Sequence, residues 1–111
     1  MDIHALTTEM HRFVQAKGWY EDDSLRPQTL RNLAISLTLE AAEVLEHFQW
    51  NEQLDDPDEL AGELADVTLY LLQISSLAEI DLEQAVLKKL QVNYARTWDD
   101  HSSKENNPPE D

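Results

Sequence analysis

Apolar residues recur along the chain three and four positions apart in four successive segments, which is the spacing of amphipathic α-helices. The pattern predicts helices over about residues 2–17, from 28 or 29 to 49 or 50, over 57–78, and over 81–98. Gly18 stands where the first helix should end, while Asp56-Pro57 and Asp81 have the character of helix starts. Because no segment has a strand pattern and Gly and Pro are scarce, the chain is predicted to be all-α.

The third predicted helix is apolar on more than one side. One stripe runs from Leu60 to Ala78, and Leu69, Leu72 and Leu77 make much of the remaining surface apolar as well. A helix of this kind is buried on several sides, and a short chain has few elements with which to bury it. We therefore expect a four-helix bundle that is completed by oligomerisation.

The composition of the chain changes near its end. Residues 99–111 contain no apolar side chain, and this acidic and polar segment is predicted to be a disordered tail. The folded domain is accordingly predicted to span residues 1–98, as a single domain in a chain of 111 residues.

The charge balance limits the classes of partner. The chain has 8 Lys and Arg against 23 Asp and Glu, a formal net charge of −15, which argues against a nucleic-acid partner. A small anionic substrate would need bound metal cations to reverse the local field. The absence of Cys excludes thiolate metal sites, and no basic-then-apolar leader or membrane-length run is found, so we expect a cytoplasmic protein without membrane contact.

Two pairs of acids are set apart by their positions. Glu40 and Glu43 lie three residues apart on the apolar face of the second predicted helix or at its border, and Glu63 and Asp66 have the same spacing on the third. If these helices are antiparallel neighbours, the four carboxylates converge. An all-oxygen site of this type suits a hard divalent ion such as Mg²⁺, with Mn²⁺ as a substitute, and implies a phosphate-bearing ligand.

Other readings of the acids and histidines remain open. Most acid pairs of this spacing in acidic helical proteins are surface decoration. A di-iron bundle would need Glu-x-x-His on two helices, and no histidine follows a glutamate at that spacing. His4, His11, His47 and His101 are scattered, without a pairing that suggests Zn²⁺.

The acid pairs belong to longer runs that carry a family resemblance. These runs are Arg31-Asn32-Leu33, EAAEVLEHFQW over residues 40–50, ELADVTLY over 63–70, and DLEQAVLKKL over 81–90 followed by Asn93. The chain from about Phe13 to Arg96 resembles the all-α NTP pyrophosphohydrolases of the MazG and dCTPase type, whose signature is E-x-x-E, a spacer and E-x-x-D.

The resemblance implies a fold, a reaction and a set of site residues. It implies a four-helix protomer that forms a homodimer or a homotetramer, with active sites near subunit contacts. A nucleoside triphosphate, expected to be a pyrimidine deoxynucleotide, would be hydrolysed to the monophosphate and pyrophosphate. Glu40, Glu43, Glu63 and Asp66 would hold Mg²⁺, with Glu40 or Glu43 also acting on the attacking water. The positions that match substrate-binding residues of the family are Trp50, Tyr70, Lys89, Asn93 and Arg96.

The sequence departs from the family pattern at three places. Ala42 replaces the usual Gly of the first motif, Arg96-Thr97-Trp98 replaces a basic-Tyr-Pro step, and Gln28 lies roughly where relatives carry a base-contacting His. The base preference is therefore left open. Phosphoribosyl-ATP pyrophosphohydrolase is a second possible activity, and a non-catalytic helical interaction module, in which Glu40 and Glu63 would be salt-bridged within the subunit, is a third reading.

Overall fold

The computed structural model describes residues 1–96, and these fold into four α-helices without a strand. The helices are α1 (Ile3–Ala16), α2 (Leu30–Glu46), α3 (Pro57–Leu77) and α4 (Leu82–Ala95). Each begins after a cap residue whose side chain accepts a backbone N–H three positions on: Asp2, Thr29, Asp56 and Asp81. The all-α class is thus confirmed.

Two helices end earlier than the sequence pattern predicts. After Glu46 the backbone N–H groups of His47, Phe48 and Gln49 bond three residues back, so the chain tightens instead of continuing α2 to Trp50. Trp50 is 86% exposed, so packing against the core does not stabilise another helical turn there. Helix α4 ends at Ala95 because Arg96 is extended; Trp98 and the predicted tail over 99–111 lie outside the described residues.

Helices α2 and α3 run antiparallel and form the main helix pair of the fold. Their direction follows from two contacts between distant residues. His47, just after α2, bonds Glu63 in the first half of α3, whereas Gln28, just before α2, bonds Gln73 in the second half. This arrangement brings the middle of α2 against the middle of α3, where the acid pairs lie.

The buried core is small and lies between α1 and the second half of α3. Met10, Val14 and Leu72 form its centre, and Ile3, Trp19, Tyr20 and Leu82 pack against them. On α2 only Leu33 is buried; Leu30 at its start and Phe48, two residues beyond its end, are exposed. Helix α2 packs mainly against α3.

A broad apolar surface remains uncovered on α3 and α4. Leu64, Leu69 and Leu71 of α3 are 41 to 49% exposed, and four apolar residues of α4 beyond Leu82 are similarly open: Val86, Leu87, Leu90 and Val92. The main packing partner of α4 is α3. Among residues 1–96 no helix is both long enough and apolar enough to cross a membrane.

Candidate active site

The antiparallel pairing of α2 and α3 brings Glu40, Glu43, Glu63 and Asp66 together. Glu40 is partly buried, and its pKa is raised first by that burial and then by the neighbouring charges of Glu43, Asp66 and Glu63. The two pairs predicted from the sequence therefore converge across the helix interface. Helical spacing explains each pair, and the antiparallel contact explains why the pairs meet.

The donor chemistry of this group fits a hard divalent cation. The group offers carboxylate oxygens from two rigid helices, and within residues 1–96 no Lys or Arg forms an ion pair with any of the four acids. Burial and, after it, the like charges of the three neighbouring acids raise the pKa of Glu40. A bound divalent ion would relieve this repulsion, and Mg²⁺ prefers oxygen ligands of this kind.

One neighbour of the acids, His47, was not identified from the sequence. Its Nε2 hydrogen-bonds the carboxylate of Glu63, and both side chains are largely enclosed. Glu59 completes a group in which one ligand atom from each residue lies within 4.8 Å of the others. A signal was available: His47 follows Glu43 by four residues and Glu59 precedes Glu63 by four, so both extend the acid faces by one turn.

A cavity of about 630 Å³ opens beside the acids and extends away from them between α1, α2 and α3. Glu40 and Asp66 lie at its wall, and its aromatic lining comes from Phe13, Trp19 and Tyr70. Arg26 also lines the cavity, with its guanidinium carbon 4.3 Å from the centre of the Trp19 ring. The cavity is large enough for a small molecule that combines an apolar ring with a charged end.

Of the five residues expected to bind substrate, Tyr70 alone lines this cavity. Trp50 follows α2 and projects into solvent. Trp19, which stands beside Tyr20 in a polar loop and from the sequence could form either a pocket wall or the end of the core, lines the cavity. Lys89, Asn93 and Arg96 lie on or just after α4 and do not contribute to the cavity lining. The Asn93 side-chain oxygen is buried, and within residues 1–96 it has no hydrogen-bond partner.

A chain of polar side chains lies at the far end of the cavity from the acids. Gln73 Nε2 donates to Gln28 Oε1 at 2.8 Å and to the Tyr20 hydroxyl at 3.2 Å. The Tyr20 hydroxyl is 2.6 Å from His11 Nδ1, and His11 Nε2 is 2.7 Å from Ser76 Oγ. Burial lowers the pKa of His11 and raises the pKa of Tyr20, so both side chains are neutral near pH 7.

Comparison with known proteins agrees with the helical fold. The family model of the MazG nucleotide pyrophosphohydrolase domain matches residues 28–95. A pyrophosphatase from Archaeoglobus fulgidus DSM 4304, known from its crystal structure, superposes with a TM-score of 0.66 at 33% identity, covering 82% of this chain and 87% of that one.

Two groups of nucleotide-acting enzymes are similar in sequence. Mouse dCTP pyrophosphatase 1 is 36% identical over 75 residues, which is 60% of this chain and 44% of the mouse protein. A dATP/dGTP diphosphohydrolase of Salmonella phage PMBT28 is 37% identical over 82 residues, which is 73% of this chain and 24% of the phage protein. The chain thus spans less than half the length of these curated relatives. The match over residues 28–95 contains both acid pairs and half of the residues that line the cavity, and the chain belongs to the MazG nucleotide pyrophosphohydrolase domain family.

Proposed function

We propose that this domain is a Mg²⁺-dependent nucleotide pyrophosphohydrolase that converts a nucleoside triphosphate to its monophosphate and pyrophosphate. The observation that carries the proposal is the convergence of Glu40, Glu43, Glu63 and Asp66 beside a cavity with aromatic walls. The group suits the charged end of a nucleotide and the cavity suits its ring system. The family membership and the relatives named for dCTP and for dATP/dGTP support the same reaction class.

The four acids would hold Mg²⁺, with Mn²⁺ as a substitute. When bound, the ion would neutralise phosphate oxygens and allow an anionic substrate to approach a chain with net charge −15. The oxygen of a water molecule would form a bond to phosphorus as the bond to the leaving pyrophosphate oxygen breaks. Glu40 or Glu43 would accept the proton of that water, and the raised pKa of Glu40 suits a proton acceptor.

The nucleoside would occupy the cavity, with Tyr70 and Trp19 as its aromatic walls. The dCTP pyrophosphatase relatives support a pyrimidine deoxynucleotide as substrate, whereas the phage relative is named for purine substrates. Because the chain is about equally similar to both groups, at 36% and 37% identity, base preference is to be measured directly.

We further propose that a homodimer or a homotetramer is the active form. The uncovered leucine and valine side chains of α3 and α4 support this, because apolar surface of that extent is commonly covered by another subunit. Trp50, Lys89, Asn93 and Arg96 lie outside the cavity lining of the single chain. They would contribute to the nucleotide site of an assembly, where subunits meet.

The alternative function, a non-catalytic helical interaction module, predicts a different environment for the acids. It requires cations that neutralise the acids within the subunit. Glu63 meets this requirement only when His47, its neighbour in the same subunit, is protonated, whereas Glu40 lies among three other carboxylates. These contacts favour a site that is completed by a metal ion.

The test is a panel of NTPs and dNTPs, including phosphoribosyl-ATP, incubated with and without Mg²⁺ and read by phosphorus NMR. Monophosphate and pyrophosphate are expected from a subset of dNTPs, only with Mg²⁺. Glu40→Gln should abolish turnover, whereas Glu46→Gln, an exposed acid at the end of the same helix, should leave it unchanged. Turnover of phosphoribosyl-ATP alone would support the second activity, and no turnover with no Mg²⁺ binding would refute the proposal.

A further inference from the structure

We propose that Gln73 selects the nucleobase by accepting a hydrogen bond from an exocyclic amine, so that cytosine or adenine is preferred to its keto counterpart. The inference rests on the proposed function. It adds that one side chain determines which class of nucleotide is preferred. Gln73 is 4% exposed and lines the far end of the cavity.

The position of Gln73 on α3 suits this role. Asp66, Tyr70 and Gln73 follow one another at spacings of four and three residues, so they lie on one face of the helix, and all three line the cavity. Seven residues of helix place Gln73 about 10 Å along the axis from Asp66. That span is comparable with the length of a nucleoside, so a nucleotide with its phosphates at the acids would bring its base to Gln73.

The orientation of the Gln73 amide is fixed by a sequence of contacts that begins at a backbone carbonyl. The Arg26 carbonyl oxygen can only accept, and Gln28 Nε2 lies 2.6 Å from it, so the Gln28 nitrogen must face that carbonyl. The other end of the Gln28 amide, Oε1, therefore faces Gln73 and accepts from its Nε2 at 2.8 Å. A flipped Gln73 amide would place two oxygens against each other.

The Tyr20 hydroxyl supports the same orientation from the other side. It accepts from Gln73 Nε2 and can donate its own hydrogen to Nδ1 of the neutral His11, whose Nε2–H then donates to Ser76 Oγ. Both hydrogens of Gln73 Nε2 are engaged in this way. Gln73 Oε1 has no hydrogen-bond partner within residues 1–96 and is left as an acceptor at the cavity.

An acceptor of this kind distinguishes amino from keto bases. The exocyclic amines of cytosine and adenine project a donor hydrogen from the edge of the ring. Uracil and hypoxanthine carry an oxygen at the same place, which would face Gln73 Oε1 and leave it unpaired in a largely desolvated site. The ring N–H of uracil is flanked by two carbonyl oxygens, so presenting that donor instead brings oxygens close to Oε1. Leaving a buried polar group unpaired in this way costs about ten- to a hundredfold in discrimination.

The test compares kcat/KM for dCTP against dUTP and for dATP against dITP, with Mg²⁺ present. The unaltered protein should prefer the amino member of at least one pair by about ten- to a hundredfold, mainly through KM, because the base lies remote from the bond that breaks. Gln73→Met keeps a similar side-chain length but has no acceptor oxygen, and it should bring the ratio close to unity. A purely structural role would instead lower all four values equally.

The matched control is Ser75→Ala. Ser75 is a buried polar residue on the same helix whose hydroxyl donates to carbonyls of its own helix, and it does not line the cavity. This variant should keep the amino preference. If Gln73→Met does not fold, Tyr20→Phe removes one of the two acceptors that orient Gln73, from a position outside the cavity lining, and should reduce the ratio partly.

Binding of the monophosphates by calorimetry separates the two proposals. If no triphosphate is hydrolysed but dCMP binds better than dUMP, or dAMP better than dIMP, in a Gln73-dependent way, the proposed function fails and the base selection stands. If triphosphates are hydrolysed with the same ratio in the unaltered protein and Gln73→Met, the base selection is overturned and the hydrolase stands. Equal affinities for dCMP and dUMP together with equal affinities for dAMP and dIMP would also overturn the base selection.

Discussion

His47 Nε2, one residue beyond the C-terminal end of α2, donates a hydrogen bond to the carboxylate of Glu63 on α3. The side chains are 10% and 15% exposed, so the contact lies inside the helix interface. It fixes the position of one of the four converging acids from the neighbouring helix. Groups that hold a ligating carboxylate in place in this way commonly strengthen metal binding.

Replacing His47 should weaken Mg²⁺ binding more than it slows the reaction. In His47→Ala the Glu63 carboxylate loses its orienting partner, and the Mg²⁺ concentration needed for half-maximal activity should rise about 10- to 100-fold. The rate at saturating Mg²⁺ should change less. His4→Ala, an exposed histidine on α1, is the control, and an unchanged Mg²⁺ dependence in His47→Ala would show that the contact has no role in metal binding.

Neutralising Glu40 should stabilise the metal-free fold. The raised pKa of Glu40 shows that its charged form is unfavourable in the folded state, because of burial and of neighbouring carboxylates. Glu40→Gln removes that charge with little change in shape, so its Tm in EDTA should exceed that of the unaltered protein. Glu46→Gln should have a smaller effect. A lower Tm for Glu40→Gln would argue against repulsion among the four acids.

Mg²⁺ itself should raise the stability of the domain. An ion that binds only the folded chain stabilises it by about 2.7 kcal/mol at a concentration of 100 times Kd. Thermal unfolding with increasing Mg²⁺ measures this, and Asp66→Asn should remove most of the shift. If Tm does not change with Mg²⁺ even when a non-hydrolysable nucleotide is present, the four acids do not form a metal site.

The stability of the fold should also depend on the protonation of His11. Burial lowers the pKa of this side chain, so the unfolded chain binds its proton more readily than the folded chain. The contribution of His11 to the free energy of unfolding should be present at pH values above about 6.5, the unfolded pKa, and be lost as the pH falls below it. The difference in urea midpoint between the unaltered protein and His11→Gln measures the effect between pH 5 and 8. The same dependence of the urea midpoint on pH in both proteins would contradict this prediction. His4→Gln is the control.

The parts of the fold that depend on local sequence were predicted well. Helix caps at Asp56 and Asp81 mark two starts, and the three-residue spacing of the acids predicts which faces they occupy. The meeting of the four acids followed from one further assumption, that α2 and α3 are antiparallel neighbours. The hydrogen bond of Glu63 with His47 and the charge interaction of Glu40 with Glu63 and Asp66 agree with that assumption.

The rest of the site depends on contacts between distant parts of the chain. Gln73 gains its orientation from Tyr20 and Gln28, which lie 53 and 45 positions away, and helical periodicity carries no information about such pairs. The sequence predicts Trp50 in the nucleoside pocket, but Trp50 is exposed and Trp19 lines the cavity instead. Loop conformation decides that difference.

Because the stripe of Asp66, Tyr70 and Gln73 lies along one rigid helix, the two ends of the proposed nucleotide would be recognised by separate parts of α3. If Gln73 selects the base as proposed, substitution at position 73 would change which base is accepted without moving the carboxylates, since the helix holds their spacing constant. An insertion of one residue between them would turn Gln73 about 100° away from the face of Asp66. Evolution could therefore change the substrate of this domain by a point substitution at position 73. An insertion or deletion within α3 would instead separate the base-binding residue from the face that carries the carboxylates.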